Sequence, residues 1–337
     1  MKIGLLVNAD TSADAGARQA VHVVEMVLDR VNAGGGIRGK PVEAVVKSVD
    51  GNWGSGSTRS VDLIYEEGVV ALLGFVDGRS AHLIEQICTK AEVPFVSTYS
   101  PDPTLSRIPI PWYFSTMPTA TRQAAALAAE IFEHQQKRRV AVISTGDYDM
   151  RVLARSFVQE VKRRSFPAPA MVTYQPGKES TVDTVASTLR DSEPEGIVFL
   201  GNREQWAVLV SQLSAQAGIT SVFLPVMEWV GSDSDNYPFP VYAVAPEGWH
   251  SDDGTVFREV FFNRFGYRPS IAAFYLYDGT TALLKAIDKR GPLASEIKKG
   301  LNQLEFGGIS GTIAFGDNGE IEQEPSVIRI QATNNAQ

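Results

Sequence analysis

Two carboxylates, Asp147 and Asp149, flank Tyr148 just after an apolar run, a spacing that could serve general acid and base chemistry. With no His or Cys beside them, they read better as the N-cap of a helix beginning at Met150. Gly34-Gly-Gly-Ile-Arg-Gly39-Lys40-Pro41 nearly completes a phosphate-binding loop, but Pro41 has no hydroxyl to ligate magnesium. These glycines also follow a helix and precede a strand, the reverse of the order such a loop needs, so they read as a helix C-cap and turn. Gly231-Ser-Asp-Ser-Asp-Asn236 has calcium-like acidic spacing, yet Val244 stands where the bidentate Glu counted from Asp233 should be. The four histidines, His22, His82, His134 and His250, lack metal-ligand spacing. The one cysteine, Cys88, excludes an internal disulfide and sits in a helical run, where it reads as a small buried apolar group. No catalytic set, metal or cofactor is expected, and the chain does not read as an enzyme.

Positioning falls to the elements. Apolar runs at Ile3–Val7, Val42–Val49, Val69–Phe75 and Pro94–Ser97 alternate with helical periods at Ala15–Asn32, Ser57–Glu67 and Ser80–Ala91. Strands separated by such helices must be parallel with right-handed crossovers, which predicts a doubly wound sheet. The pattern restarts with helices at Thr119–His134, Met150–Arg164, Thr181–Asp191 and Arg203–Gln216. The strands between them are Arg139–Ser144, Ala170–Tyr174, Gly196–Leu200 and Val222–Met227. The last third holds helices at Thr255–Phe265, Ile271–Lys289 and Leu293–Gln303, then strand candidates Thr312–Phe315 and Ser326–Gln331, counted as one short hairpin. These late helices are expected to cover an existing sheet. The chain would then cross between lobes near Met117-Pro118, near Val244–Trp249 and before the last strand, making a hinge.

The 337 residues suit two domains. An excess of 39 acidic over 31 basic residues gives a net charge of -8, which argues against a nucleic-acid or membrane-surface role. The longest apolar stretches, such as Gly68–Val76, fall far short of the roughly 20 residues that span a bilayer. Met1-Lys2 leads straight into a strand, so no signal peptide is read; a cytoplasmic protein and a processed exported form both remain open.

In open parallel sheets, ligands bind outside the carboxyl ends of the strands. The loops there are Asn8–Asp14, Asp50–Ser57, Asp77–Ser80, Thr98–Asp102, Thr145–Asp149, Gly201–Arg203 and Glu228-Trp229. They are rich in hydroxyls, aromatics and isolated charges, a composition that holds a small polar molecule rather than transforming one.

Val31-Asn-Ala-Gly-Gly-Gly-Ile-Arg-Gly-Lys-Pro-Val42, Gly68-Val-Val-Ala-Leu-Leu-Gly74 and Val93-Pro-Phe-Val-Ser97 with Asp102-Pro103, taken together, resemble the leucine/isoleucine/valine-binding type of periplasmic solute receptor. Asp147-Tyr148, Tyr277-Asp278 opening a late helix, and Gly308-Ile-Ser-Gly311-Thr-Ile-Ala-Phe315-x-Asp317-x-Gly319 extend the resemblance along the chain. It implies an α/β fold of two doubly wound, Rossmann-like lobes joined by a three-crossover hinge, the type I periplasmic binding protein fold. The lobes would be 1–118 with 248–325, and 119–247 with 326–337.

Carried over by position, the family's serine-rich loop falls on Gly78-Arg79-Ser80, where Ser80 and helix amides would hold a ligand carboxylate. Arg79 replaces a small residue there and either clamps an anion or faces solvent. The next loop is Ser97–Pro101, offering Tyr99 and Ser100, with Pro101 in place of a head-group threonine. Tyr148 matches the family's ligand-packing tyrosine. Asn202-Arg203 stand where an aromatic is expected, and Glu228 matches the acid that meets a ligand ammonium. The altered head-group contacts imply a small polar or carboxylated ligand other than a branched-chain amino acid, an amino acid or related organic acid or amide. It would be held between the lobes by hinge closure and passed to the membrane subunits of an ABC importer. A cytoplasmic sensor of the same fold, resembling the amide-responsive regulators, is the alternative.

Overall fold

The computed structural model describes residues 1–8, 15–50, 54–175, 179–203, 205–207, 220–227, 229–230 and 239–330. The chain divides into two compact units, Met1–Pro118 with Pro246–Glu324, and Thr119–Ala245 with Pro325–Gln337, so it passes from one to the other three times.

Unit 1 starts with β1 (Lys2–Asn8), α1 (Ala15–Ala33), β2 (Glu43–Val49), α2 (Ser55–Val61, continued by a π-helical turn at Asp62–Glu66), β3 (Leu72–Phe75), α3 (Gly78–Ala91), β4 (Phe95–Ser97) and β5 (Tyr113–Ser115). The sheet order is β2-β1-β3-β4-β5, all parallel, as strands linked by helical crossovers require. β1, β3 and β4 are almost wholly buried, which explains their unbroken apolar runs. After α1, Gly35 and Gly36 take the positive φ of a closing turn. Cys88 packs in the core with Leu63, Leu72, Ile84 and Phe95, and burial pushes its thiol well above the ordinary range.

Unit 2 follows with α4 (Ala120–Ala128, then a π-helical turn at Ala129–His134), β6 (Val140–Ser144), α5 (Tyr148–Arg163), β7 (Ala170–Thr173), α6 (Glu179–Ser192), β8 (Gly196–Leu200), β9 (Val222–Leu224) and β10 (Val241–Ala245). The chain returns to unit 1 with α7 (Asp252–Phe265), α8 (Ile271–Arg290), α9 (Ala294–Asn302), β11 (Glu305–Gly307) and β12 (Thr312–Ala314), and ends the described part in unit 2 with β13 (Ser326–Ile330). The second sheet has the order β13-β10-β9-β8-β6-β7, parallel except for β13, which runs antiparallel to β10. α8 is buried on nearly every face, as expected of a helix apolar all round, and its Ser270 cap exchanges hydrogen bonds with Gln19 of α1 (2.7 and 2.9 Å).

Several expectations need correcting. Thr312–Ala314 pairs with Glu305–Gly307, not with the final strand, so the hairpin lies wholly in unit 1. Val241–Ala245, not expected as an element, is a full strand leading into the crossing, because β13 and β9 pair on either side of it. α5 begins at Tyr148, two residues before Met150, since Asp147 is the residue that caps it. Tyr277-Asp278 lies about two turns inside α8 rather than at its opening. The expected helix Arg203–Gln216 is helical at residues 203 and 205–207, and the rest lies outside the described residues, as does the acidic loop Gly231–Asn236. No helix among the described residues is long and apolar enough to cross a membrane.

Candidate functional site

Because β1, β3 and β4 are parallel neighbours, their carboxyl ends share one edge of unit 1. Asn8, closing β1, accepts the Asp77 N–H through Oδ1 (3.3 Å). Asp77 in turn caps α3, its Oδ1 accepting the Ser80 N–H at 2.7 Å. That cap starts the helix at Gly78 and places Arg79 and Ser80 in its first turn. Ser80 is 7% exposed, whereas Arg79 is exposed.

On the next strand, Thr98 donates from both N (2.8 Å) and Oγ1 (2.9 Å) to the Gly74 carbonyl, pinning the β4 loop to β3. Tyr99 then falls against Phe75, ring centroids 4.6 Å apart. Ser100 is buried, and its Oγ accepts the Asp102 N–H (3.3 Å). Asp102 is a buried carboxylate that organises this loop. It accepts from Thr104 N (2.9 Å) and Thr104 Oγ1 (2.7 Å), and it lies 3.1 Å from His82 Nε2 on α3. Thus the β4 loop is tied to β3 at its start and to α3 at its end. Sequence reading missed His82, because its partner is 20 residues away and no local pattern signals the pair. His82 Nε2 also faces Thr104, and Ser100 Oγ bonds the Asp102 amide, so Ser100, His82 and Asp102 do not form a nucleophile–base relay.

In unit 2, Asp147 accepts from Met150 N (3.1 Å) and Thr145 Oγ1 (3.0 Å), the capping role expected of it. Tyr148 is the first residue of α5 and half-buried. After β8, Asn202 and Gln205 form a reciprocal capping box, Asn202 N to Gln205 Oε1 (2.8 Å) and Gln205 N to Asn202 Oδ1 (3.0 Å). Asn202 and Arg203 are both exposed. Trp206 is buried, its ring 5.1 Å from Phe199 and 6.0 Å from Trp229. Trp229 Nε1 donates to the Gly201 carbonyl (3.3 Å), and Gln123 Oε1 accepts the Val226 N–H (2.9 Å), fixing the loops that follow β8 and β9. Glu228 lies outside the described residues.

Each unit thus gathers its candidates at the carboxyl edge of its own sheet. Arg79, Ser80, Tyr99 and Ser100 come together in unit 1, and Tyr148, Asn202 and Arg203 stand at the strand ends of unit 2. The first set offers hydroxyls, a guanidinium and a ring, which suit an anion with an apolar body. Among the described residues, no group of three or more His, Cys, Asp or Glu side chains is placed to hold a metal.

Solved structures are similar along nearly the whole chain. The structure of the branched-chain amino acid transporter substrate-binding protein LivJ from Streptococcus pneumoniae, in complex with isoleucine, is 18% identical, with a TM-score of 0.81 over 98% of this chain and 99% of that one. A solute-binding protein of an ABC transporter from Rhodopseudomonas palustris, in complex with 3,4-dihydroxybenzoic acid, is 17% identical, with a TM-score of 0.83 over 98% and 93%. Glutamate receptor 3.7 of Arabidopsis thaliana is 30% identical over 120 residues, which span 36% of this chain and only 12% of the receptor. The fold is therefore that of the type I periplasmic binding proteins, two parallel-sheet units of α/β build. Residues 1–335 match the family described as Periplasmic binding protein, and the chain belongs to that family.

Proposed function

We propose that the chain is a non-catalytic solute receptor that seats a small carboxylate at the carboxyl edge of unit 1 and delivers it to an ABC importer outside the cytoplasmic membrane. The observations that carry this reading are the buried Ser80 in the first turn of α3 and the Tyr99–Phe75 ring pair at the carboxyl ends of β3 and β4 on the same sheet edge. Arg79 in the same turn supplies a full positive charge to pair with a carboxylate. Tyr148, Asn202, Arg203 and Glu228 are the second contact set, met when the units close. A ligand that touches both sets binds the closed form better, which is what shifts the population toward it.

The Tyr99–Phe75 pair also favours a flat, aromatic acid over a branched aliphatic one, since rings stack at a cost no larger than aliphatic packing and gain the quadrupole term. Titration calorimetry with isoleucine, benzoate, 3,4-dihydroxybenzoate and benzamide tests both levels. Binding of either class of acid supports the receptor reading, and tighter binding of the aromatic acids supports the finer one. No heat with any acid overturns the reading, as does turnover of the bound compound by the purified protein.

Arg79→Ala is expected to weaken a bound carboxylate about tenfold and the matching amide less than about twofold, because only the carboxylate loses a charge-assisted pair. Equal losses for acid and amide would remove Arg79 from the site.

A further inference from the structure

We propose that one turn of α8, Tyr275–Asp278, seats the unit-1 ends of all three crossings, two of them through the Asp278 carboxylate, which makes Asp278 a positioning residue for closure. This rests on the receptor reading above. Asp278 is fully buried, and its carboxylate accepts the Ile309 N–H (3.0 Å), the Ser310 N–H (2.7 Å) and the Ser310 hydroxyl. The loop it holds is itself the seat of two crossings. At the second crossing, just past Pro246, Gly248 N donates to the Ser310 carbonyl (3.1 Å). At the third, just before Pro325, Gln323 Nε2 donates to that same carbonyl (2.8 Å) and reaches Glu247 Oε2 (3.4 Å).

The approach at the second crossing is close. A Cβ on Gly248 would lie 2.0 Å from the Ile309 carbonyl oxygen, so the backbone of the second crossing is pressed directly on the loop that Asp278 holds. The first crossing reaches the same turn of α8 without the loop. Thr116, two residues before Pro118 and fully buried, donates its hydroxyl to the Tyr275 carbonyl (2.8 Å), one turn before Asp278. One helical turn, Tyr275–Asp278, therefore receives the first crossing directly and the other two through Ile309-Ser310.

A set of crossings seated on one rigid helix gives closure a defined axis, whereas three independently held strands of chain would not. Releasing the 309–310 loop removes two of the three seats while leaving the sheet and its carboxyl edge intact. The consequence is a wider spread of inter-unit distances in the unliganded chain, a change that a general loss of stability does not produce.

Spin labels at Tyr65→Cys in unit 1 and Arg155→Cys in unit 2, both exposed positions, report that spread by double electron–electron resonance; Cys88 is buried and stays unlabelled. In the ligand-free chain, Asp278→Ala is expected to at least double the width of the distance distribution. Val24→Ala, a core truncation in α1, serves as the control for lost stability and is expected to leave the width unchanged. An unchanged width in Asp278→Ala, or equal widening in the control, overturns the proposal. If Asp278→Ala does not fold, Gln323→Ala, which frees the third crossing alone, decides in the same way. The measurement needs no ligand, so its failure is distinct from a failure of the calorimetric panel.

Discussion

Gly319→Ala is expected to lower the free energy of unfolding by about 3 kcal/mol, the sum of a left-handed backbone penalty of about 1 to 2 and an overpacking cost of similar size. Gly319 has φ +76°, a region that L side chains enter at a cost. Its position is also crowded, since a Cβ would lie 2.1 Å from the Tyr113 carbonyl oxygen, a backbone atom that cannot swing aside. The turn is fastened on both sides: Gly319 N donates to the Gly316 carbonyl (2.8 Å), and the Gly319 carbonyl accepts from Ser115 N of β5 (2.8 Å). Relief by movement of the turn would thus break the link to β5. Gly316→Ala is the matched control in the same turn. Its Cβ would meet nothing closer than 3.5 Å, so a loss below about 1 kcal/mol is expected. Urea unfolding of the two variants side by side checks this, and equal midpoints would refute the backbone argument.

The alternation of buried runs and helical periods made the parallel sheets legible, because a strand covered on both faces has to be apolar along its whole length. β5 escaped notice because it is three residues long and follows Pro109-Ile-Pro111, which reads as irregular chain; pairing with β4 and the Gly319 turn makes it a strand. Capping was legible where it is local, as at Asp147. The same logic found Ser80 by its place after a strand but passed over Asp77, the residue that sets the helix start. At the edge of unit 2, Trp206 packs on Phe199 of β8 one turn after Asn202-Arg203, a contact that follows from helical spacing. What could not be read were pairs joined only by the fold, His82 with Asp102 and Asp278 with Ile309-Ser310, the latter 31 and 32 residues apart. Asp278 was visible as part of a motif, yet nothing local distinguishes a carboxylate that meets solvent from one that holds a loop.

Acidification is expected to strengthen the fold through Asp278, against the usual behaviour of a paired carboxylate. Burial pushes its carboxyl up to about 6, and the hydrogen bonds from Ser310 and Ile309 only partly oppose this. Among the described residues no cation acts on it, and the neighbouring Tyr275 hydroxyl, buried and without a hydrogen-bond partner among them, is itself pushed upward by burial and by this carboxylate. An aspartate in the unfolded chain titrates near 4, so between about pH 4 and 6 the folded state binds more protons than the unfolded one. Stability from this group is therefore fully present below about pH 4 and is lost as the pH rises through about 6, a total of about 3 kcal/mol. Roughly 2 kcal/mol of that falls between pH 7.5 and 4.5. Asp278→Asn cannot titrate and supplies the baseline that subtracts every other carboxylate. The unfolding free energy of the wild-type chain minus that of this variant is expected to rise by about 2 kcal/mol from pH 7.5 to 4.5 in urea titrations. A difference that falls on acidification would mean that the three donors hold the carboxylate in its charged form and that desolvation is the smaller effect.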